Sequence, residues 1–353
     1  MTGRGTIGTA ALLGAALAAM LAFTAPAAAG EPRVRLQVAS TFPSGMAVIG
    51  EGARRLAEKI ERASGGELVL EIHEPGALVP AADTVKAVSA GIVDAAWAGA
   101  GWFATEDSAF NMFSSVPFGP SMGEYMAWMY RGGGLEIARA MFHARGVHNL
   151  PCALIPPEAS GWFRKEIQYA EDFRGLRMRF FGLGAKVMEK FGVQTQQLPP
   201  AEILKAMQDG ALDATEFSLP LMDEPFGFDT VAKYYYFPGW HQQATFFDLY
   251  IAKNRWDALS DRDRAVIELA CGDTIRETIA EGEAAQGRVL RAMQDRGVQL
   301  RRWPPEILVA LDEAWNEVVE EESDANPNFR RVYRSFAEFR ARYSVWHGLG
   351  YLH

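Results

Sequence analysis

Cysteine is scarce: Cys152 and Cys271 are the only two in 353 residues. Two are too few for a disulfide-stapled scaffold, and no His or Cys cluster beside them makes a zinc site. They could pair in an oxidising compartment. Nothing in the sequence places them together, however, and buried free thiols are common, so they are read as unpaired. Basic charge is also short, with 35 Lys and Arg against 44 Asp and Glu and a formal net charge of −9. Nucleic acid wants basic patches, so that class of partner is set aside. Beyond residue 29 no apolar run is long enough to span a bilayer. The six histidines are scattered. There is no Gly-x-Ser-x-Gly elbow, no phosphate loop and no His-Glu-x-x-His. A periplasmic hydrolase therefore stands only as the rival class, kept because catalytic triads assemble from distant residues.

What is present begins with an export signal. Arg4 supplies a short positive region, an apolar stretch covers residues 7–21, and Ala27, Ala28 and Ala29 provide small residues for cleavage. A membrane anchor would need about 20 apolar residues. Here Gly5, Thr6, Gly8 and Thr9 dilute one end and Pro26 breaks the other. Residues 1–29 are read as a signal peptide cleaved near Ala29, which puts the mature protein in the periplasm.

Strands and helices then alternate. Val34, Leu36 and Val38 alternate with polar residues as in a strand, and Ser44 is placed to cap a helix over residues 46–63. Residues 68–72 and 93–97 read as further strands, with a short helix over 81–90 between them. The pattern restarts after Pro151: strands at 176–181, 193–198 and 212–217, helices at 185–191 and 200–208. Two such units predict an α/β protein of two lobes with largely parallel sheets and a ligand cleft at the strand ends. The last third reads as helix: residues 261–296, interrupted by Gly272 and Gly282, where a bend is expected, then 306–324 and 329–346.

Three segments carry candidate chemistry. Residues 175–182 read GLRMRFFG, with Arg179 at a strand end, where its fork could grip a carboxylate through two charge-assisted hydrogen bonds. Taken alone, a surface ion pair is the more ordinary explanation of such an Arg. Glu216, followed by Phe217, ends another strand, and Glu158 lies upstream of Gly161-Trp162-Phe163. Converging acids need a cation or a proton between them, and oxygen ligands suit Ca²⁺ or Na⁺ rather than zinc; the bland alternative is two solvated carboxylates. The run from Tyr234 through Phe237, Pro238, Gly239 and Trp240 to Gln242 could wall the cleft, or simply be a buried strand ending in a Pro-Gly turn.

Together these segments resemble the extracytoplasmic solute receptors of tripartite ATP-independent periplasmic (TRAP) transporters. The resemblance includes Ser114 through Gly119, the helix end from Trp128 to Gly134, Gly161 to Phe163, the 175–182 motif, Gly210 to Ala214 and the turn from Trp256 to Leu259. It implies a type II-like, two-lobed periplasmic binding protein with a long inter-lobe helix and an added C-terminal helix. Lobe I would take residues 30–155 and about 242–285, lobe II residues 156–241 and about 286–325, and 326–353 a helical tail able to form a homodimer. Closure would hinge near Pro156 and Gln242 and in the long helix. The ligand is a small organic acid passed to the TRAP membrane subunits. The Glu-aromatic pair, the Pro-Gly-Trp run and the tail are similar to the subgroup for 2-oxo and 2-hydroxy monocarboxylates; a C4-dicarboxylate or an amino acid is the alternative. In that subgroup Arg179 matches the residue that grips the carboxylate. Glu158, Glu216, the Phe217 carbonyl and Gln242 match the positions that hold a bridging cation, Ca²⁺ or Na⁺, and Trp162 belongs to the same substrate site. Position 158 is commonly Gln, 217 Trp and 242 Glu, so this chain keeps the acid count but moves one acid. No organic cofactor is implied.

Overall fold

The computed structural model describes residues 1–3 and 32–352, so the signal peptide read at residues 1–29 and its cleavage near Ala29 lie almost wholly outside the described residues. The chain runs β1 (Val34–Ser40), α1 (Ile49–Ser64), β2 (Leu68–His73), α2 (Thr84–Ser89), β3 (Ala95–Gly99), α3 (Met122–Arg131), α4 (Gly134–His143) and β4 (Val147–Ile155). It continues through β5 (Gly161–Phe163), β6 (Arg177–Arg179), α5 (Gly182–Lys190), β7 (Gln194–Gln196), α6 (Pro200–Gln208), β8 (Ala214–Thr215), α7 (Pro220–Asp223) and β9 (Tyr234–Phe237). Last come β10 (Thr245–Ala252), α8 (Lys253–Asp257), α9 (Asp261–Asp295), β11 (Gln299–Arg302), α10 (Pro305–Ala325) and α11 (Pro327–Gly350).

Two sheets form, one in each lobe. The first has the order β2-β1-β3-β10-β4 and the second β11-β9-β5-β8-β6-β7. The sheets are mixed rather than largely parallel, because β10 runs against β3 and β4, and β5 against β8 and β9. The reason is the connection. A parallel return needs a crossover of a dozen residues or more. The chain instead passes straight from β4 to β5 through residues 156–160, and back from β9 to β10 through 238–244. Neither crossing has room for a helix, so the strand that enters each sheet by a crossing is the one that runs backwards.

Several elements are shorter than their apolar pattern. The first helix starts at Ile49, not near residue 46, since Val48 adopts φ +63 and Ser44 caps nothing. The strands expected at 176–181 and 212–217 keep only three and two residues, as the chain leaves the ladder to carry Arg179 and Glu216 to the sheet edge. Helix α9 is continuous over 35 residues, started by a capping box between Ser260 and Asp263. Gly282 lies within it without ending it. A Cβ there would meet Pro156 Cδ at 2.6 Å, so this glycine lets the helix lie against the first crossing. Thr278 hydroxyl bridges the Leu154 backbone on the first sheet, while Gln286 accepts from the Leu221 amide beside the second. The helix thus holds both lobes.

One expectation fails here. Cys152 on β4 and Cys271 on α9 form a disulfide, not two free thiols. The strand packs along the helix, and this juxtaposition across 119 residues has no sequence signal. The tail helix α11 lies against the turn Ser108–Phe113 and helices α3 and α4 of lobe I, and against α10. Phe329, Val332 and Phe336 are buried, with Phe336 edge-on to Trp128 at 5.1 Å. Farther along, Val345, Trp346 and Leu349 are exposed.

The disulfide closes a long loop in the unfolded chain, so replacing Cys152 and Cys271 by Ala is expected to lower unfolding free energy by about 2–4 kcal/mol. Denaturant titration of both proteins checks this; an unchanged midpoint and slope would mean that strand–helix packing alone secures the pair.

Candidate functional site

The site lies where the strand ends of the second sheet meet the two crossings. In the β6–β8 pair Arg179 stands opposite Thr215, so Arg179 and the next residue, Glu216, emerge side by side. Such carboxyl ends are where ligands of α/β sheets bind. Arg179 Nη1 donates to Glu216 Oε2 at 2.5 Å and to the Glu216 carbonyl at 2.7 Å. Its guanidinium centre lies 5.6 Å from the Phe217 ring centroid. Both side chains are almost fully buried.

Glu158, His241 and Gln242 come from the crossings. The crossings are joined to each other, Gly239 N–H donating to the Glu158 carbonyl at 2.9 Å. A Cβ on Gly239 would approach that oxygen to 2.2 Å, so the contact requires glycine. His241 Nε2 lies 3.1 Å from Glu158 Oε1 and 3.6 Å from Glu216 Oε1. One donor atom from each of these three residues falls within 4.8 Å of the others. Glu158 Oε2 and His241 Nδ1 are buried without a hydrogen-bond partner among the described residues.

The electrostatics follow from burial and pairing. Burial pushes the Glu158 carboxyl up to about 7, against the pull of its bond to His241 and with the push of Glu216. For His241 burial disfavours charge, but its contacts with Glu158 and Glu216 outweigh that and hold the imidazole at about 9. The site alternates acidic and basic groups: Glu158, His241, Glu216, Arg179.

Above these groups is a narrow cleft. Phe42, Ile49, Trp102 and Phe247 wall it from lobe I, and Arg179, Phe181, Glu216, Phe217 and Met222 from lobe II, with Gln242 beside them. The lobes meet closely there, the Trp102 and Phe181 rings being 5.8 Å apart. Arg179, Glu216, Phe217 and Gln242 therefore line the cleft as the sequence suggested, and Glu158 lies just beneath. Trp162 does not line it. Its ring stacks on Tyr235 at 3.9 Å, and its Nε1 donates to buried Asp223 Oδ2 at 2.8 Å. Asp223 Oδ1 in turn accepts from the Ser218 amide, so Trp162 braces the cleft floor from below. His241 was missed by sequence reasoning, as one of six scattered histidines; its place directly before Gln242 in the Pro-Gly-Trp run was the available signal. Phe42 and Phe247 carried none.

Chemically, the arrangement offers a cationic fork, two buried acids and apolar walls. The buried, partnerless Glu158 oxygen fits a donor set for a hard cation shared with Glu216.

The pKa shifts have a fixed sign in protein freed of ligand and metal. His241 rises from 6.5 to about 9, so its stabilisation is complete below pH 6.5 and lost as pH climbs through 9. Glu158, raised from 4.5 to about 7, loses its contribution over that lower window. Thermal melts of the wild type and His241→Gln are expected to converge as pH rises from about 6.5 to about 9. A gap independent of pH would show that His241 is not charged in the fold.

The family model for bacterial extracellular solute-binding proteins, family 7, matches residues 39–325. A monocarboxylate 2-oxoacid-binding periplasmic protein of Nostoc sp. is 30% identical over 323 residues, 92% of this chain and 88% of that protein. Among solved structures, a TRAP transporter solute-binding protein from Bordetella bronchiseptica aligns with TM-score 0.88 and 30% identity, over 90% of this chain and 95% of that one. It is a mixed-occupancy dimer with calcium and picolinate in one site and the other site apo. A receptor from Colwellia psychrerythraea with calcium and pyruvate aligns at TM-score 0.86 and 25% identity, covering 90% and 97%. One from Pseudoalteromonas atlantica, with sodium and pyruvate, gives the same TM-score, 0.86, the same identity, 25%, and the same coverage, 90% and 97%. With this match over most of its length, the chain belongs to family 7 of the bacterial extracellular solute-binding proteins.

Proposed function

We propose that this protein is a periplasmic receptor that captures a small 2-oxo or 2-hydroxy monocarboxylate and delivers it to TRAP membrane subunits. The observation that carries the reading is Arg179 and Glu216 side by side at paired strand ends, facing an apolar cleft between two lobes. Arg179 turns from the Glu216 side chain to the ligand carboxylate, where both forks of its guanidinium are used. The apolar walls from both lobes exclude water as the cleft closes and strengthen that pair. In this reading the lobes divide as the resemblance implies, and closure hinges at residues 156–160 and 238–244 and in α9.

A cation completes the site. Ligand anion, Glu158 and Glu216 together outweigh Arg179, and in this reading Glu158, Glu216 and the Phe217 carbonyl hold a Ca²⁺ or Na⁺ that also takes the ligand's carboxylate and C2 oxygen. Gln242 lines the cleft as a neutral donor. His241 then gives up its bonds to the two acids. Support comes from the relatives, which hold calcium or sodium beside pyruvate or picolinate. Catalysis is no part of the proposal: the family and the neighbouring structures are solute-binding proteins. A second reading rests on the partnerless Glu158 oxygen, which would equally accept the ammonium of an amino acid.

Calorimetry separates these readings. Protein stripped by partial unfolding in chelator and refolded is expected to bind pyruvate or lactate only with Ca²⁺ or Na⁺ restored. Arg179→Ala should then cost at least about 2–3 kcal/mol of binding, and Arg179→Lys nearly as much, since an ammonium cannot make the fork. Tight binding of an amino acid in chelator would replace the cation with the ligand's own charge. Unchanged affinity in Arg179→Ala would remove that residue from the site.

The exposed end of α11 is proposed to meet a second copy, as the Bordetella relative is a dimer. Sedimentation is expected to find a dimer that Trp346→Ser with Leu349→Ser converts to monomer; a wild-type monomer at micromolar concentration would contradict it.

A further inference from the structure

Phe118 has a backbone conformation that side chains rarely adopt. Its φ is +47, in the left-handed region, which is costly for a bulky residue without a β-carbon-free backbone. Such an outlier persists only where its surroundings hold it. Two contacts do so here. The Phe118 N–H donates to the Trp240 carbonyl at 2.7 Å, and the Phe118 carbonyl accepts from Arg340 Nη1 at 2.8 Å. The Phe118 and Trp240 rings also stack, 5.8 Å apart at 28°.

Trp240 is the residue before His241, in the crossing that returns the chain to lobe I. Phe180, next to Arg179, also packs against it, 5.8 Å from the Trp240 ring and 4.9 Å from the His241 ring. The crossing therefore contacts both Phe118 of lobe I and Phe180 of lobe II. The lobe I contact is held from α11. Arg340 spans the gap, donating through Nε to Glu124 at 3.0 Å and through Nη1 to Phe118.

We infer that Arg340 is a positioning residue for the ligand site: from the C-terminal helix it fixes the Phe118 peptide, and through it the crossing that presents His241 and Gln242. The helix is then part of the binding machinery, not only an appended surface. The inference rests on the proposed reading of the cleft for its affinity arm alone.

The test uses the full mature chain. Arg340→Gln removes the bond to Phe118; Glu124→Gln cuts the ion pair but leaves that bond in place; Phe118→Gly removes the cost of the left-handed backbone. Hydrogen exchange on ligand-free protein is expected to rise in Arg340→Gln around residues 117–119 and 239–243, and to stay near wild type in Glu124→Gln. Titration with pyruvate and Ca²⁺ is expected to show about a fivefold weaker Kd in Arg340→Gln, the loss of one hydrogen bond, and little change in Glu124→Gln. In the Phe118→Gly background the Arg340→Gln effect should shrink, since the two act through one contact. Unchanged exchange at 239–243 in Arg340→Gln overturns the inference. So do equal effects of Arg340→Gln and Glu124→Gln, which would reduce Arg340 to an anchor for the helix. If wild-type protein binds none of the acids, the proposed function fails while the exchange result still decides the role of Arg340.

Discussion

Two carboxyl groups buried within reach of one another cannot both stay charged without a counter-charge, and in this protein that demand organises the cleft. Glu158 and Glu216 are each about 2% exposed. His241 stands between them and Arg179 caps the far end, so positive and negative groups alternate through the floor. Removing one partner of such a set leaves an uncompensated buried charge, which is far more destabilising than the pair is stabilising. The local fold serves this arrangement. The strands of the second sheet stop early so that Arg179 and Glu216 leave the ladder together, and the two crossings are stitched through Gly239 so that Glu158 and His241 face each other. The same charge set makes the cleft responsive. In the proposed function an arriving anion takes Arg179 from Glu216, and Glu216 with Glu158 is then free for a cation.

Set against the pattern that the resemblance implies, two site positions of this chain differ. The acid expected at position 242 is glutamine, and the amide-bearing position 158 is an acid. Glu158 is buried behind the cleft lining and Gln242 is part of that lining, so the negative charge sits deeper than an acid at 242 would. A histidine next to Gln242 then finds two acids within 3.6 Å, where it becomes the internal counter-ion of the ligand-free state. Rigidity around this floor comes from both lobes. Asp223 ties Trp162, Tyr235 and Ser218 beneath it, and the Cys152–Cys271 bond pins β4, which leads into the first crossing, to α9.

Local pattern carried much of this, and distance in sequence concealed the rest. The alternation in β1, the helical spacing in α1 and the proline-started α6 were readable because each is decided by neighbours in the chain. Arg179, Glu216, Phe217 and Gln242 were placed as candidates by their position at or after strand ends, and only the resemblance singled them out. The antiparallel β5 and β10 were not, since strand direction depends on whether a helix fits in the connection. The disulfide was not, because strand and helix meet only after folding. Trp162 was misplaced for a similar reason: strand β5 turns one side chain to the cleft side and the next away, and only its register with β8 and β9 decides which. The apolar walls Phe42 and Phe247 come from lobe I and reach the site only when the lobes are assembled.

Native mass spectrometry of the protein as isolated, without added ligand or chelator, tests the central claim most directly. A receptor that closes over an acid and a cation held between Glu158 and Glu216 should carry a mass increment equal to one small monocarboxylate plus one Ca²⁺ or Na⁺, lost together in Glu216→Ala. A bound amine-bearing ligand with no metal, or an acid retained equally well in Glu216→Ala, would contradict the account.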